Sequence, residues 1–208
     1  MDQKKMHEYL KILVVLILIV ILIVISWSVF QMPYSSSSRR CIALGDSRFV
    51  SQLGETDLAS LMNCKNRAKN KTTLIRTKNM PCITDQVSDT RPLSKGATVI
   101  VSAGGNDLMN GVPLNKIVKA LKNEVRRLNN AGAEQVIVIG GYFAPKMVEQ
   151  TRSQIKICDL EGISMCEKED CEWVSIRNVI SEDCFIDDGL HLNEQGNKII
   201  AQVVSKYL

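Results

Sequence analysis

The chain has 208 residues, 45% of them apolar and 23% charged, which suits one globular domain plus an appendage and argues against disorder. Its net charge of +4 comes from Lys and Arg mixed among Asp and Glu, and only 5% of residues are aromatic, so nucleic acid is not indicated as a partner.

The appendage comes first. Residues 1–11 form a short tail with Lys4, Lys5 and Lys11, and residues 12–30 are an uncharged apolar run. A bilayer core of about 30 Å needs about 20 such residues in a helix, so the run predicts one transmembrane helix. A cleaved signal peptide would have a shorter apolar stretch and a small-residue cleavage site, and Ser26-Trp27-Ser28 is a poor one. The three lysines crowd the N-terminal side of the span more closely than Arg39 and Arg40 crowd the other. That predicts a retained signal anchor with a cytoplasmic N-terminus and the main domain extracellular, lumenal or on an envelope surface. Residues 31–40, with Pro33 and four consecutive serines, read as a flexible stalk.

From Cys41 to Leu208 apolar runs alternate with helical patterns. CIALG (41–45), TTLIRT (72–77), ATVIVSAG (97–104), EQVIVIGGY (134–142) and, more weakly, WVSIRNVI (173–180) read as strands. Helices are expected from about Arg48 to Asn63, along LNKIVKALKNEVRRLNNAG with Ile117, Leu121, Val125 and Leu128 on one face and Gly132 as the stop, and at the C-terminus. The last helix has Asn193 as its N-cap and Ile199, Ile200, Val203 and Val204 on its apolar face. Unbroken Val/Ile strands interleaved with helices imply a central parallel sheet covered on both faces, a three-layer α/β/α sandwich of flavodoxin-like kind. In such sheets the working residues gather at the carboxyl ends of strands.

Seven cysteines suit an oxidising compartment and leave one thiol over. Cys41, in an apolar strand, is the expected free one, which leaves Cys64, Cys82, Cys158, Cys166, Cys171 and Cys184 as candidate disulfide partners. The late cluster lacks a second close pair and a histidine, so no metal is implied. Asn70-Lys71-Thr72 is a candidate glycosylation sequon.

Three polar clusters fall at the ends of predicted elements: Gly45-Asp46-Ser47, Gly104-Gly105-Asn106-Asp107 and Asp187-Asp188-Gly189-Leu190-His191. Singly, each reads as an ordinary turn. Together they hold the parts of an acyl-transfer site: a hydroxyl, an imidazole to deprotonate it, a carboxylate to orient the imidazole, and donors for an oxyanion. His7 lies before the membrane segment, so a histidine base in this domain has to be His191. Asp188, three residues earlier, reaches the ring within one turn, and Asp187 is the weaker partner. The backbone N–H of Ser47 and the side-chain amide of Asn106 are candidate oxyanion donors.

The order GDS, GxND and DxxH before a terminal helix resembles the SGNH (GDSL-type) hydrolases, and DDGLHLNEQGNKIIAQVV is similar to that family's closing block. The resemblance covers Cys41 to Leu208. It implies Ser47 as nucleophile, Asp188 and His191 as its triad partners, Gly104 and Asn106 as the turn and donor of the third block, and no cofactor. The implied function is hydrolysis of an O-acyl ester, with an acetyl group on a glycan favoured. A lumenal O-acyltransferase using the same triad and a weakly catalytic binding ectodomain are the alternatives. One element of the family's pattern is missing. The second block carries a glycine whose amide completes the oxyanion hole, yet residues 72–95 contain none, and Gly54 lies too close to Ser47. An N–H near Cys82 to Thr84 is the expected replacement.

Overall fold

A computed structural model of the chain describes residues 40–50, 56–88 and 95–208. The expected tail and transmembrane segment, and the stalk up to Arg39, lie outside the described residues. Among the described residues no helix is long and apolar enough to cross a membrane.

Five parallel strands form one sheet in the order β2-β1-β3-β4-β5: β1 (Arg40–Gly45), β2 (Lys65–Asn66), β3 (Ala97–Ser102), β4 (Gln135–Ile139) and β5 (Glu172–Val174). β3 is buried at every position and β4 from Val136 onward, because helices cover both faces and each strand must be apolar on both sides. Val99, Val101, Val136 and Val138 pack with Ile117, Leu121, Val125 and Leu128 of α4 (Leu114–Asn130) and with Met165 of α5 (Glu149–Glu169). Their strand neighbours Ile100, Ile137 and Ile139 turn the other way, onto Leu58 of α1 (Leu58–Leu61) and Ile200 and Val204 of α6 (Glu194–Val204). This is the expected three-layer sandwich. Reversal of strand order between β1 and β3 leaves a crevice at their carboxyl ends, where ligands bind in open sheets of this kind.

α4 matches its expected face, and Gly132, at φ +86°, follows its end. Asn193 caps α6 by accepting from the Gly196 N–H at 3.0 Å. Other expectations fail for local reasons. TTLIRT is not a strand: Thr73 makes only an isolated bridge with Cys82, and the N–H groups of Leu74 and Ile75 are taken by the carboxylate of Asp107 rather than by a ladder. Lys65–Asn66 takes the place beside β1 instead. Within the expected helix 48–63, the described residues hold only a turn at Ser47–Val50 and the single-turn α1, whose N-cap Asp57 accepts from the Ser60 N–H at 2.8 Å. The 21-residue α5 escaped the sequence reading. Its apolar residues do not fall on one face, since Ile155 and Met165 are buried while Ile157, Leu160 and Ile163 are exposed.

The cysteine pairing also departs from expectation. Cys41 is not free but bonded to Cys64, because the two precede the register pair Ile42 and Lys65 on neighbouring parallel strands. Cys166 pairs with Cys171 where the chain doubles back through Asp170, at φ +55°. Cys82, Cys158 and Cys184 are free thiols, against their expected pairing. Cys158 lies two turns before Cys166 on the same helix, and Cys184 packs in the cluster on the opposite face of the sheet from Cys166. Peptide mapping of the unreduced protein should recover the 41–64 and 166–171 links and alkylation at 82, 158 and 184. Replacing Cys41 and Cys64 by Ser should lower the unfolding free energy by about 3 kcal/mol, as expected for a loop of this size, read from denaturant midpoints.

Candidate active site

Ser47 sits in the turn that follows β1, and the turn is fixed from three sides. Gly45 approaches β3 so closely that a Cβ there would lie 2.0 Å from the Ser102 carbonyl oxygen. The buried amide of Gln86, in α2 (Ile83–Ser88), accepts from the Gly45 N–H at 2.9 Å and donates to the Gly45 carbonyl at 2.9 Å. Arg48 donates through Nε (3.1 Å) and Nη2 (3.2 Å) to the two carboxylate oxygens of Asp46 and through Nη1 to the Gly140 carbonyl at 3.2 Å. Burial disfavours the Arg48 charge, but the adjacent Asp46 carboxylate outweighs it and the guanidinium pKa is raised. A paired, hydrogen-bonded ion pair is what lets two charges sit under the Ser47 turn.

The Asp188–His191 turn leads into α6. Asp188 Oδ2 lies 2.5 Å from His191 Nδ1, and Asp188 Oδ1 accepts from the N–H groups of Leu190 (2.8 Å) and His191 (2.9 Å). Desolvation works to raise the Asp188 pKa, but the hydrogen bonds from the His191 ring and these two N–H groups prevail and bring it down to about 2. Tyr142, on the segment after β4, donates its hydroxyl to the Leu190 carbonyl at 3.1 Å, and the Lys146 N–H donates to the Gly189 carbonyl at 3.1 Å. The imidazole-bearing turn is thus tied to the end of the sheet.

The third cluster works mainly as a clamp. Gly104, at φ +99°, precedes the short helix α3 (Gly105–Met109), and a Cβ on it would press on Ile117 and Leu74 at 3.1 Å. Asn106 donates through Nδ2 to the Thr72 carbonyl at 2.9 Å, and buried Asp107 accepts from the N–H groups of Leu74 (2.8 Å) and Ile75 (3.0 Å). These bonds hold the segment after β2 in place. There Lys71 adopts a left-handed φ of +59°, which is uncommon outside glycine. The N–H groups of Ser47 and Lys71 carry no hydrogen bond among the described residues.

Ser47, Gly104, Asn106 and His191 line one cavity of about 390 Å³, with Asn70 and Lys71 at its edge. Asp188 stands behind His191, and Cys158, one of the expected disulfide partners, also lines the cavity. Cys82 to Thr84 do not: Cys82 and Ile83 are buried, the Ile83 N–H donates to the Thr73 carbonyl, and the Thr84 carbonyl accepts from Arg127. Asn70 and Lys71, about a dozen residues before that stretch, line the cavity instead. A glycan on Asn70 would stand at the mouth of this cavity. Asp107 was read as part of the GxND cluster, but its clamp on the 72–75 backbone was not, and sequence reasoning missed Arg48, Gln86 and Lys71. A charged residue directly after the serine was a visible signal for the first, and nothing local marks the other two.

Because the Asp188 pKa is depressed, its bond to His191 stabilises the fold above the ordinary carboxylate range near pH 4 and is lost as the pH falls toward 2. Asp188→Asn should therefore narrow its stability gap to the parent between pH 4 and pH 2, followed by thermal melts.

No protein-family model matches the chain, and no curated protein matches it in sequence. Solved structures do match. TesA aligns with a TM-score of 0.67 at 15% identity, over 80% of this chain and 96% of that one. A catalytic mutant of Axe2, an acetylxylan esterase from Geobacillus stearothermophilus, aligns with a TM-score of 0.65 at 12% identity, over 82% of this chain and 94% of that one. The M. smegmatis aryl esterase gives 0.65 at 15% identity, over 81% and 97% of the two chains. The parallel five-stranded sheet, its flanking helices and these alignments together give the chain the fold of the SGNH (GDSL-type) hydrolases.

Proposed function

We propose that the chain is a serine carboxylic ester hydrolase with Ser47 as nucleophile. The observation that carries this reading is the Asp188–His191 pair, 2.5 Å apart, with its imidazole opening on the cavity that Ser47 also lines. Asp188 accepts a hydrogen bond from Nδ1–H, which leaves Nε2 as the basic nitrogen, the tautomer a general base needs. In the reaction, the Ser47 hydroxyl attacks the ester carbonyl carbon while His191 takes its proton. The tetrahedral oxyanion is met by the N–H of Ser47, the N–H of Lys71, and the Asn106 amide hydrogen not used on Thr72. Collapse expels the alcohol, which leaves with the proton from His191. A water then repeats the sequence on the acyl-enzyme, releasing the acid and restoring Ser47.

The polar cavity mouth formed by Asn70 and Lys71 supports an ester of a polar alcohol such as a glycan hydroxyl, and one solved neighbour is an acetylxylan esterase. Residues 12–30 would anchor the enzyme, with its N-terminus cytoplasmic and the catalytic domain on the far side of the membrane.

A fluorophosphonate probe should label the parent protein and not Ser47→Ala, and the parent alone should cleave an aryl ester. Equal inertness of the two across a broad acyl-ester panel would end the hydrolase reading. Products made with an added glycan acceptor should be free acid rather than acylated glycan; the reverse would favour the transferase. Asp188→Asn should lower kcat by up to about 10⁴-fold, because the imidazole loses the partner that fixes its tautomer. Lys71→Gly keeps the N–H and the left-handed backbone and should retain activity, whereas Lys71→Pro, which removes the donor and cannot hold a φ of +59°, should cost at least about 100-fold in kcat.

A further inference from the structure

Besides Ser47, His191 and the paired Asp46 and Arg48, the cavity is lined by an apolar set: Leu108 of α3, Ile117 and Leu121 of α4, and Ile155 and Cys158 of α5. Its 390 Å³ falls within the roughly 300–1,000 Å³ of sites for drug-sized ligands. That is several times the space of a two-carbon acyl group, each of whose carbons takes the room of one water in the liquid, about 30 Å³. The indole of Trp173, on β5, also lines the cavity. Its position is fixed with unusual completeness. The indole N–H donates to buried Asp159 at 2.6 Å, and Asp159 is itself held by the Ser175 hydroxyl at 2.5 Å and Arg177 Nε at 3.0 Å. Gly162 of α5 leaves room for the ring, since a Cβ there would lie 2.4 Å from it.

Resting on the esterase reading above, we propose that this apolar pocket receives the acyl chain of the ester and that Trp173 sets its length, making the preferred substrate a medium-chain rather than an acetyl ester. Ser47 follows β1, and the indole of Trp173 lies against Gly140 at the end of β4, where a Cβ would be 3.2 Å from the ring, two strand spacings from β1 across β3. At about 4.8 Å per strand that is about 10 Å. An extended alkyl chain with C–C bonds of about 1.5 Å advances about 1.3 Å per carbon. Roughly eight carbons bring the chain end to the indole.

The test uses the full-length protein in nanodiscs and a p-nitrophenyl ester series from acetyl to tetradecanoyl, with fluorophosphonate labelling of Ser47 measured in parallel. Each buried methylene should raise kcat/KM about fourfold, up to octanoyl, with a fall beyond. Trp173→Ala should raise the dodecanoyl-to-octanoyl ratio of kcat/KM at least about tenfold, two to three methylenes at that increment. Leu121→Phe, which fills the wall, should move the optimum the other way, so misfolding of one variant leaves the other to decide. A labelled enzyme whose kcat/KM is highest for acetyl and falls with each added carbon, or whose optimum neither variant moves, overturns the ruler and leaves Ser47 as nucleophile. Absence of both labelling and turnover overturns the esterase reading and the ruler with it.

Discussion

The turn that carries Ser47 exists because β1 ends on a residue without a side chain. A Cβ on Gly45 would sit 2.0 Å from the Ser102 carbonyl oxygen, far inside contact distance, so any other residue would wedge β1 from β3 at the point where the crevice opens. The close approach has two further consequences. It brings the Asp46 N–H to the Ser102 carbonyl at 3.2 Å, and it presents both polar groups of Gly45 to the Gln86 amide. One missing methyl thus lets two strands and a helix converge beneath Ser47. Rigid support of this kind is what holds a catalytic hydroxyl to within fractions of an ångström of its working position.

From that point the site is assembled by carboxylates and amides acting on backbone. Asp107 takes two N–H groups of the 72–75 segment, Asn106 takes its carbonyl, and Gln86 reaches the Thr72 hydroxyl at 2.9 Å. Each bond joins residues more than ten positions apart, and each satisfies a backbone group that would otherwise be orphaned in a buried loop. The left-handed Lys71 is a product of these clamps: a non-glycine residue holds a strained φ only where its surroundings over-determine it.

How much of this the sequence disclosed follows from the range of the forces. The Val/Ile runs of β1, β3 and β4, the α4 face and the Asn193 cap depend on neighbours a few residues away and could be read directly. Ser47, Asp188, His191 and Asn106 could be read as a set, because their chemistry demands one another and only one histidine follows the apolar span. Thr72–Thr77 misled because β-branched residues favour strands, while here Asp107 competed for the backbone. α5 was hidden because its buried side includes Asp159 and Gly162, chosen to hold Trp173 rather than to present an apolar stripe. The Cys41–Cys64 bond depended on strand order, which no local pattern encodes.

Electrostatics divides the three acids around the cavity by role. Asp46 and Asp159 are buried and committed, one to Arg48 and the other to Arg177, Trp173 and Ser175. Each is compensated in place, so neither leaves an unpaired field at the serine. Asp188 is 42% exposed and faces only the His191 ring and two N–H groups. Its charge is therefore available to His191, as the proposed mechanism requires of the carboxylate that would stabilise an imidazolium. The same surroundings silence the competing nucleophile: burial, with Asp159 and Glu161 nearby, pushes the Cys158 thiol up to about 11. At neutral pH Cys158 is an uncharged, weakly polar part of the pocket lining, which leaves the Ser47 hydroxyl, lining the same cavity as His191, as the nucleophile of the proposed mechanism.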